Sequence, residues 1–568
     1  MRSLSLRPAF FVVLLLVLIG AVWVWESLPR QVDMASYAPA DSFVYLEFNS
    51  LSDVTEAIQK GRTWQAISPI LGINPSSTSG WLARVAKAGI GPARSVVFSR
   101  SQAALVLVGI NTTEENETLR IRPEAALLIE THTSKWRMKA AALESIQRLA
   151  SFAYGQAGCL QRSDDSDFIE CSSTGSDRKI VAAIEGSLIV IGNTEKAVRS
   201  CLDAKRGARP SLQSDRELHL ARASLNANRS LGFGYISSNN SAKLFSSAVP
   251  LLMGRAPGNG QLDQLLNTSA SKILRGISWT SSSSARGIQD HFLFALEPAV
   301  AERLKPAFDI APPEDNFWAL VPNSFQTLTS YRSKDPLNAW TSLDAAVALK
   351  LDTVSSVIFG SLLKSGLSVY GVDNPKLLLT SLRAPVVTLK PSAYSDGSVM
   401  LARITDETKL RTTLQSETFK DGNGQIIDGI EIDPVEKFEF TAVIVDGYLL
   451  VGKTDNIRTC LIALRDKQTA KSFPFAGHGK DGSAAIVTYT NDEARLKSFV
   501  TVVAQSKSLT LSADQTAKLR EATKEVEFSV TETSLNGNAI DRKTESAFGI
   551  FSTLLSLVQT ENTASPLR

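Results

Sequence analysis

Residues 185–202 read EGSLIVIGNTEKAVRSCL, and residues 446–461 read DGYLLVGKTDNIRTCL. In each copy two β-prone runs surround an acid–glycine pair, Glu185-Gly186 or Asp446-Gly447. Glycine tolerates the positive φ of a tight turn, so both stretches read as β-hairpins. The second strand of each, SLIVI or YLLV, is apolar at successive positions. Such a strand is covered on both faces and sits centrally in a sheet. Gly192-Asn193-Thr194-Glu195 and Gly452-Lys453-Thr454-Asp455 follow. A threonine before an acid predicts a helix start, the hydroxyl capping a free N–H and the carboxylate facing the positive end of the dipole. Val198, Cys201 and Leu202 then share a helical face, as do Ile457, Cys460 and Leu461, so each cysteine reads as a small buried hydrophobe. A glycine before a capped helix is also the shape of a phosphate cradle, but neither a G-x-G-x-x-G nor a G-K-[ST] pattern is expected here, and a single glycine at each site argues against one.

The repetition extends along the chain. Ala38-Pro39-Ala40-Asp41-Ser42-Phe43 leads through Val44 to Asn49-Ser50, and Pro312-Pro313-Glu314-Asp315-Asn316-Phe317 leads through Trp318 to Asn323-Ser324. The strings from Arg122 and Ser398 both read strand, turn, helix, with Thr405 or Asp406 as the cap in the second. The strings from Leu231 and Ala484 read strand then helix. This order predicts two related modules, residues 36–300 and 311–558, joined through Leu296–Pro313, with a second linker over Gly254–Ser271 and a frayed tail at 559–568. Hairpins impose antiparallel pairing and strands do not alternate strictly with helices. The expected class is therefore α+β, with antiparallel sheets carrying helices on one face, behind an N-terminal transmembrane helix.

The chain has 568 residues, 43% hydrophobic and 21% charged, which is globular composition with material for several domains. Lys and Arg number 60 against 57 Asp and Glu, with no basic stripe, so a nucleic-acid partner is not expected. Arg2 and Arg7 precede an apolar run from Ala9 to Trp25, closed by Glu26 and Arg30. Residues 1–30 thus read as a cytoplasmic stub and membrane anchor, or as a signal peptide with a long core. Trp23 and Trp25 at the outer end and the lack of a small-x-small cleavage site favour a retained anchor through residues 9–25. The expected location is the inner membrane, single-pass, with the ectodomain in the periplasm or outside the cell. Of the four cysteines, Cys159 and Cys171 either clip a loop or remain buried thiols.

The strand after Ala38-Pro39-Ala40-Asp41, the Gly-x-Thr helix after a hairpin, the tandem copies and the N-terminal anchor resemble a bacterial family of uncharacterised extracytoplasmic proteins, a domain-of-unknown-function family. The resemblance implies an envelope location and no reaction, so it transfers no site residues.

Motifs of chemistry are sparse. The histidines, His132, His219, His291 and His478, form neither H-E-x-x-H nor H-x-H, and there is no G-x-S-x-G. No histidine recurs at matching places in the two copies. Ser163–Asp167 and Asp421–Gln425 have some calcium-loop character but read more simply as turns. Five N-x-[ST] triplets begin at Asn111, Asn116, Asn228, Asn239 and Asn267. No catalytic, cofactor or metal residue is assigned. The expectation is a non-enzymatic anchored ectodomain that binds an envelope protein, lipid or polymer; the alternative is an extracytoplasmic hydrolase with a site assembled from dispersed residues.

Overall fold

A computed structural model describes residues 31–70, 101–115, 118–132, 142–144, 146–147, 150–151, 157–161, 168–173, 179–238, 240, 272–284, 287–312, 316–349, 368–372, 374–392, 395–419, 422–470, 484–493, 512–524 and 528–550. The apolar run 9–25, the segment 254–271, the loop 163–167, His478 and the tail 559–568 lie outside the described residues. Among the described residues no helix is long and apolar enough to cross a membrane. The fold is mixed α+β with extensive antiparallel pairing.

The chain divides into two compact units, residues 1–54, 81–110 and 123–215, and residues 55–80, 111–122 and 216–568. The first holds β1 (Val44–Phe48), paired with β2 (Gln102–Glu115), of which it contains the part up to residue 110, and β3 (Thr118–Glu130) from residue 123, with β4 (Ala157–Gln161), β5 (Phe168–Ser173), β6 (Lys179–Glu185) and β7 (Leu188–Gly192). The order there is β3–β7–β6–β5–β4, each strand antiparallel to its neighbour. Cys159 of β4 lies directly opposite Cys171 of β5, and the two form a disulfide.

The second unit holds β8 (Gly232–Ser237), β9 (Leu274–Ser283), β10 (Ile288–Leu296), β11 (Thr327–Tyr331), β12 (Leu382–Lys390), β13 (Val399–Ile404), β14 (Gly424–Asp428), β15 (Phe440–Val445), β16 (Tyr448–Lys453), β17 (Ile486–Thr490), β18 (Ser529–Asn536) and β19 (Ala539–Ser546). Its order is β8–β9–β10–β19–β18–β17–β11–β12–β13–β16–β15–β14. All of these pairs are antiparallel except β14–β15.

The quoted stretches form the expected hairpins, and their central strands are flanked on both sides: β7 by β6 and β3, β16 by β15 and β13. The ladders end alike. Gly192 closes the β3–β7 ladder opposite Ala126, and Gly452 closes β13–β16 opposite Val399. Glycine is required there by close approach: a Cβ on Gly452 would meet Ser398 O at 2.9 Å, and one on Gly192 would meet Ala125 O at 3.1 Å. The turns differ. Asp446 and Gly447 both have positive φ, 50° and 76°, which is the pattern of a type I′ turn. In the first copy the two-residue loop is Gly186-Ser187, with φ +65° at Gly186, one position later than the acid–glycine pair suggests.

Thr194 caps the helix Glu195–Lys205 as expected, accepting from the Ala197 N–H at 3.2 Å. Thr454 does not cap. It is the first residue of the helix Thr454–Arg465, because the second copy is one residue shorter between strand and helix. Its buried hydroxyl donates to Phe438 O at 2.5 Å and pairs with Thr441 Oγ1 at 2.9 Å. Asp406 is the cap of the helix Glu407–Thr413, accepting from the Lys409 N–H.

Three further expectations are corrected. Helices cover both faces of the second unit's sheet. Leu401, Val443 and Leu450 pack with Ile457, Cys460 and Leu461, whereas Ala402, Ala442 and Leu449 pack with Leu378, Leu410 and Leu414. Alternate residues of one strand point to opposite faces, so an apolar strand demands cover on both. Leu296–Pro313 is no simple linker, since it contains the helix Pro298–Leu304, which buries Val300, Ala301 and Leu304. The segment Asn316–Leu320 is a 3-10 turn burying Phe317 and Trp318, not a strand equivalent to Val44–Phe48. The strand preceded by the corresponding proline is β11: Pro39 and Pro322 each make an isolated β-bridge after a 3-10 turn, to Ser211 and Thr469.

Candidate functional site

The string Gly447-Tyr448-Leu449-Leu450-Val451-Gly452-Lys453-Thr454 has the G-x-x-x-x-G-K-[ST] spacing of a phosphate-binding loop, so neither the expected absence of a G-K-[ST] pattern nor the single-glycine argument holds for the second copy. The backbone disposes of the match on other grounds. A phosphate cradle needs a loop whose N–H groups are free. Here Tyr448–Lys453 is a strand paired on both sides. Lys453 Nζ sits 3.0 Å from Asp396, and the Thr454 hydroxyl is engaged with Phe438 O. Cys201 and Cys460 are fully buried free thiols, each pushed up to about 12, by burial in both cases and against the Arg209 charge for Cys201. The thiolate is the nucleophile, so these side chains pack and do not react.

The first unit concentrates polar groups around Glu130, a residue 1% exposed. Tyr37 Oη donates to Glu130 Oε2 at 3.1 Å and the His132 backbone N–H donates to Oε1 at 3.0 Å. Burial, and then the Glu130 charge, raise the Tyr37 phenol above its ordinary range. The Lys205 ammonium lies 5.6 Å from the Tyr37 ring centre. His132 takes a left-handed φ of 54°, uncommon for a side chain-bearing residue. The positions that match in the second unit's ladder are Arg403 for Glu130 and Leu464 for Lys205, four residues after the shared cysteine, so the cluster belongs to one copy. In the second unit His291 Nε2 lies 2.8 Å from Asp541 Oδ1. Burial lowers the imidazole pKa, opposed by the Asp541 charge. His219 is on the helix Arg216–Ser224, away from both groups in sequence. Among the described residues no group of three or more His, Cys, Asp or Glu is placed to hold a metal. Of the calcium-like loops, Gly424 and Gln425 belong to β14, and Asp421 lies outside the described residues.

A site that the sequence reading missed is the connection 429–439 between the parallel strands β14 and β15. It is anchored by three long side chains. Gln425 donates to Val435 O at 3.0 Å and to Thr441 Oγ1 at 3.0 Å, and accepts from the Val435 N–H at 3.2 Å. Arg458 donates to Pro434 O at 3.2 Å and lies 3.3 Å from both Glu436 and Asp455. Arg465 pairs with Asp433 and holds its carboxyl below the ordinary carboxylate range. Ile430 tucks against the core beneath. Ile432, Val435 and, on the adjoining helix, Ile462 are 55%, 50% and 47% exposed. Ile462 falls between Arg458 and Arg465 on the helix, the two residues that grip the connection, so an exposed apolar side chain of the helix lies alongside the connection that carries Ile432 and Val435. Arg465 faces three carboxylates, Asp433, Glu431 and Asp466, and Arg458 faces two, Glu436 and Asp455; with Lys437 also on the connection, the carboxylates still outnumber the cations. The trace in the sequence is IEIDPVEKF, where the alternation continues past the strand end into exposed positions.

No protein-family model, no curated protein and no solved structure matches the chain.

Proposed function

We propose that the protein is a non-enzymatic, membrane-tethered extracytoplasmic protein, built from two related modules, whose ectodomain binds a partner protein bearing basic and apolar side chains. The observation that carries the binding reading is the face of Ile432, Val435 and Ile462, held rigid by Gln425, Arg458 and Arg465 within a rim of excess carboxylate. A loop already fixed in place binds without the entropy cost of ordering it. Apolar side chains at this exposure, ringed by charge, mark an interaction surface. The Cys159–Cys171 disulfide supports an oxidising compartment, and the apolar run 9–25 after Arg2 and Arg7 supports a single-pass anchor in the inner membrane with the ectodomain in the periplasm or outside the cell. The matching registers of β3–β7 and β13–β16 support the duplication.

The test is cross-linking in native membranes with the wild type and with an Ile432→Ser, Val435→Ser, Ile462→Ser variant that keeps every charge. A cross-linked protein lost in the variant supports the reading; identical cross-linking removes it. Mass spectrometry of the mature N-terminus tests the anchor, a start between residues 26 and 40 defeating it. A second reading, a hydrolase using dispersed residues, draws on the Tyr37–Glu130–His132 cluster and the His291–Asp541 pair. Hydrolysis of generic ester substrates that vanishes in His291→Ala would favour it.

A further inference from the structure

We propose that Asp290 is an acid-tightened latch, whose buried carboxylate seats the Gly549–Ile550 turn against β10 and frees it on ionising. Asp290 is 4% exposed on β10. Trp279 Nε1–H donates to its Oδ1 at 2.9 Å, and the Ile550 backbone N–H donates to Oδ2 at 2.8 Å. Ser281 lies directly opposite on β9, and Thr544 on β19. The turn is shaped to reach the carboxylate. The Gly549 N–H donates to Ser546 Oγ at 2.9 Å, and Gly549 has a φ of +56°. A Cβ there would lie 2.6 Å from Ile288 Cγ2 and 2.8 Å from Asp290 Oδ2. Phe548, beside it, is buried.

The carboxylate has neutral donors and, among the described residues, no counter-cation. On its face of the sheet the charged neighbour is Arg542, opposite Phe292, and it is exposed. From the segment packed on Ala547, Lys60 and Arg62 flank Gly61; both are exposed, and Lys60 pairs with Glu56. His291, Asp541 and Lys543 occupy the opposite face of the same strands. A buried charge without a cation favours its neutral form. Burial accordingly moves Asp290 up to about 6 from 3.8, although the bonds from Trp279 and Ile550 pull the other way.

The direction follows from linkage. A carboxyl that holds its proton more tightly in the closed turn stabilises that turn at low pH, and the advantage is lost as pH rises from about 4 through 6. A difference of about two pKa units corresponds to a roughly 100-fold change in the opening equilibrium. Amide hydrogen exchange of Gly549 and Ile550 in the full chain measures this, corrected for intrinsic rates. The opening constant should rise by up to roughly 50-fold between pH 4 and pH 7, the upper figure applying if opening restores the ordinary aspartate value, and Asp290→Asn should abolish the dependence. Opening that is flat or falls with rising pH in the wild type overturns the latch, as does an unchanged dependence in Asp290→Asn. Carboxyl-carbon NMR titration of the wild type needs no variant: a midpoint near 6 supports the latch, and one near the ordinary aspartate value defeats it.

Discussion

Replacing Gln425 by alanine should loosen the connection 429–439 without unfolding the protein. Gln425 makes three side-chain hydrogen bonds, two to the Val435 backbone and one to Thr441 Oγ1. Neutral bonds of this kind contribute about 0.5–1.5 kcal/mol each, and the partly exposed setting places them at the low end. The local cost is therefore about 2 kcal/mol, equivalent to a roughly 30-fold faster exchange of the Val435 amide by local opening. Global stability should change far less, because Gln425 lies on β14, whose pairing is with β15 at the end of the strand order, and the core on either face of the sheet is untouched. The assay is amide exchange of Val435 alongside chemical denaturation. An unchanged Val435 rate would show that Arg458 and Arg465 hold the connection unaided. A fall in the denaturation midpoint as large as the local effect would show that the connection unfolds with the core. If the rigid face binds a basic partner, Gln425→Ala should also weaken the cross-link described above while leaving Ile432, Val435 and Ile462 in place.

Leu450→Ala removes a fully buried side chain from the central strand of the second hairpin and should destabilise by about 2–5 kcal/mol, measured by denaturation. Cys201 and Cys460 should resist a thiol reagent in the native protein and react after denaturation; fast native labelling would contradict their burial. Reducing Cys159–Cys171, whose separation is 12 residues, should lower stability by about 3 kcal/mol on loop entropy alone. An unchanged melting temperature under reductant would show that β4 and β5 hold without it.

The hairpins at 179–192 and 440–453 were legible because their signals are local. An acid–glycine pair between apolar runs specifies a turn, and uninterrupted apolarity specifies burial on both faces, whatever surrounds them. The buried cysteines were legible for the same reason, through helical spacing. Thr454 was misread because capping depends on one residue of backbone phase, and the second copy lacks that residue. Asn316–Leu320 was misread because a matching string carries no information about the offset at which strands pair. The P-loop spacing at 447–454 shows the converse error: a motif is present in letters, yet pairing with β13 and β15 consumes the N–H groups it would need. The groups around Glu130, Asp290 and Val435 lay beyond the sequence altogether. Tyr37 and Glu130 are 93 positions apart, and Asp290 and Ile550 are 260 apart. Composition and periodicity fix which residues seek burial and where the chain turns. Which polar atoms then meet inside is decided by strand order, because only the assembled sheet brings distant segments within hydrogen-bond reach and removes the water that would otherwise satisfy them.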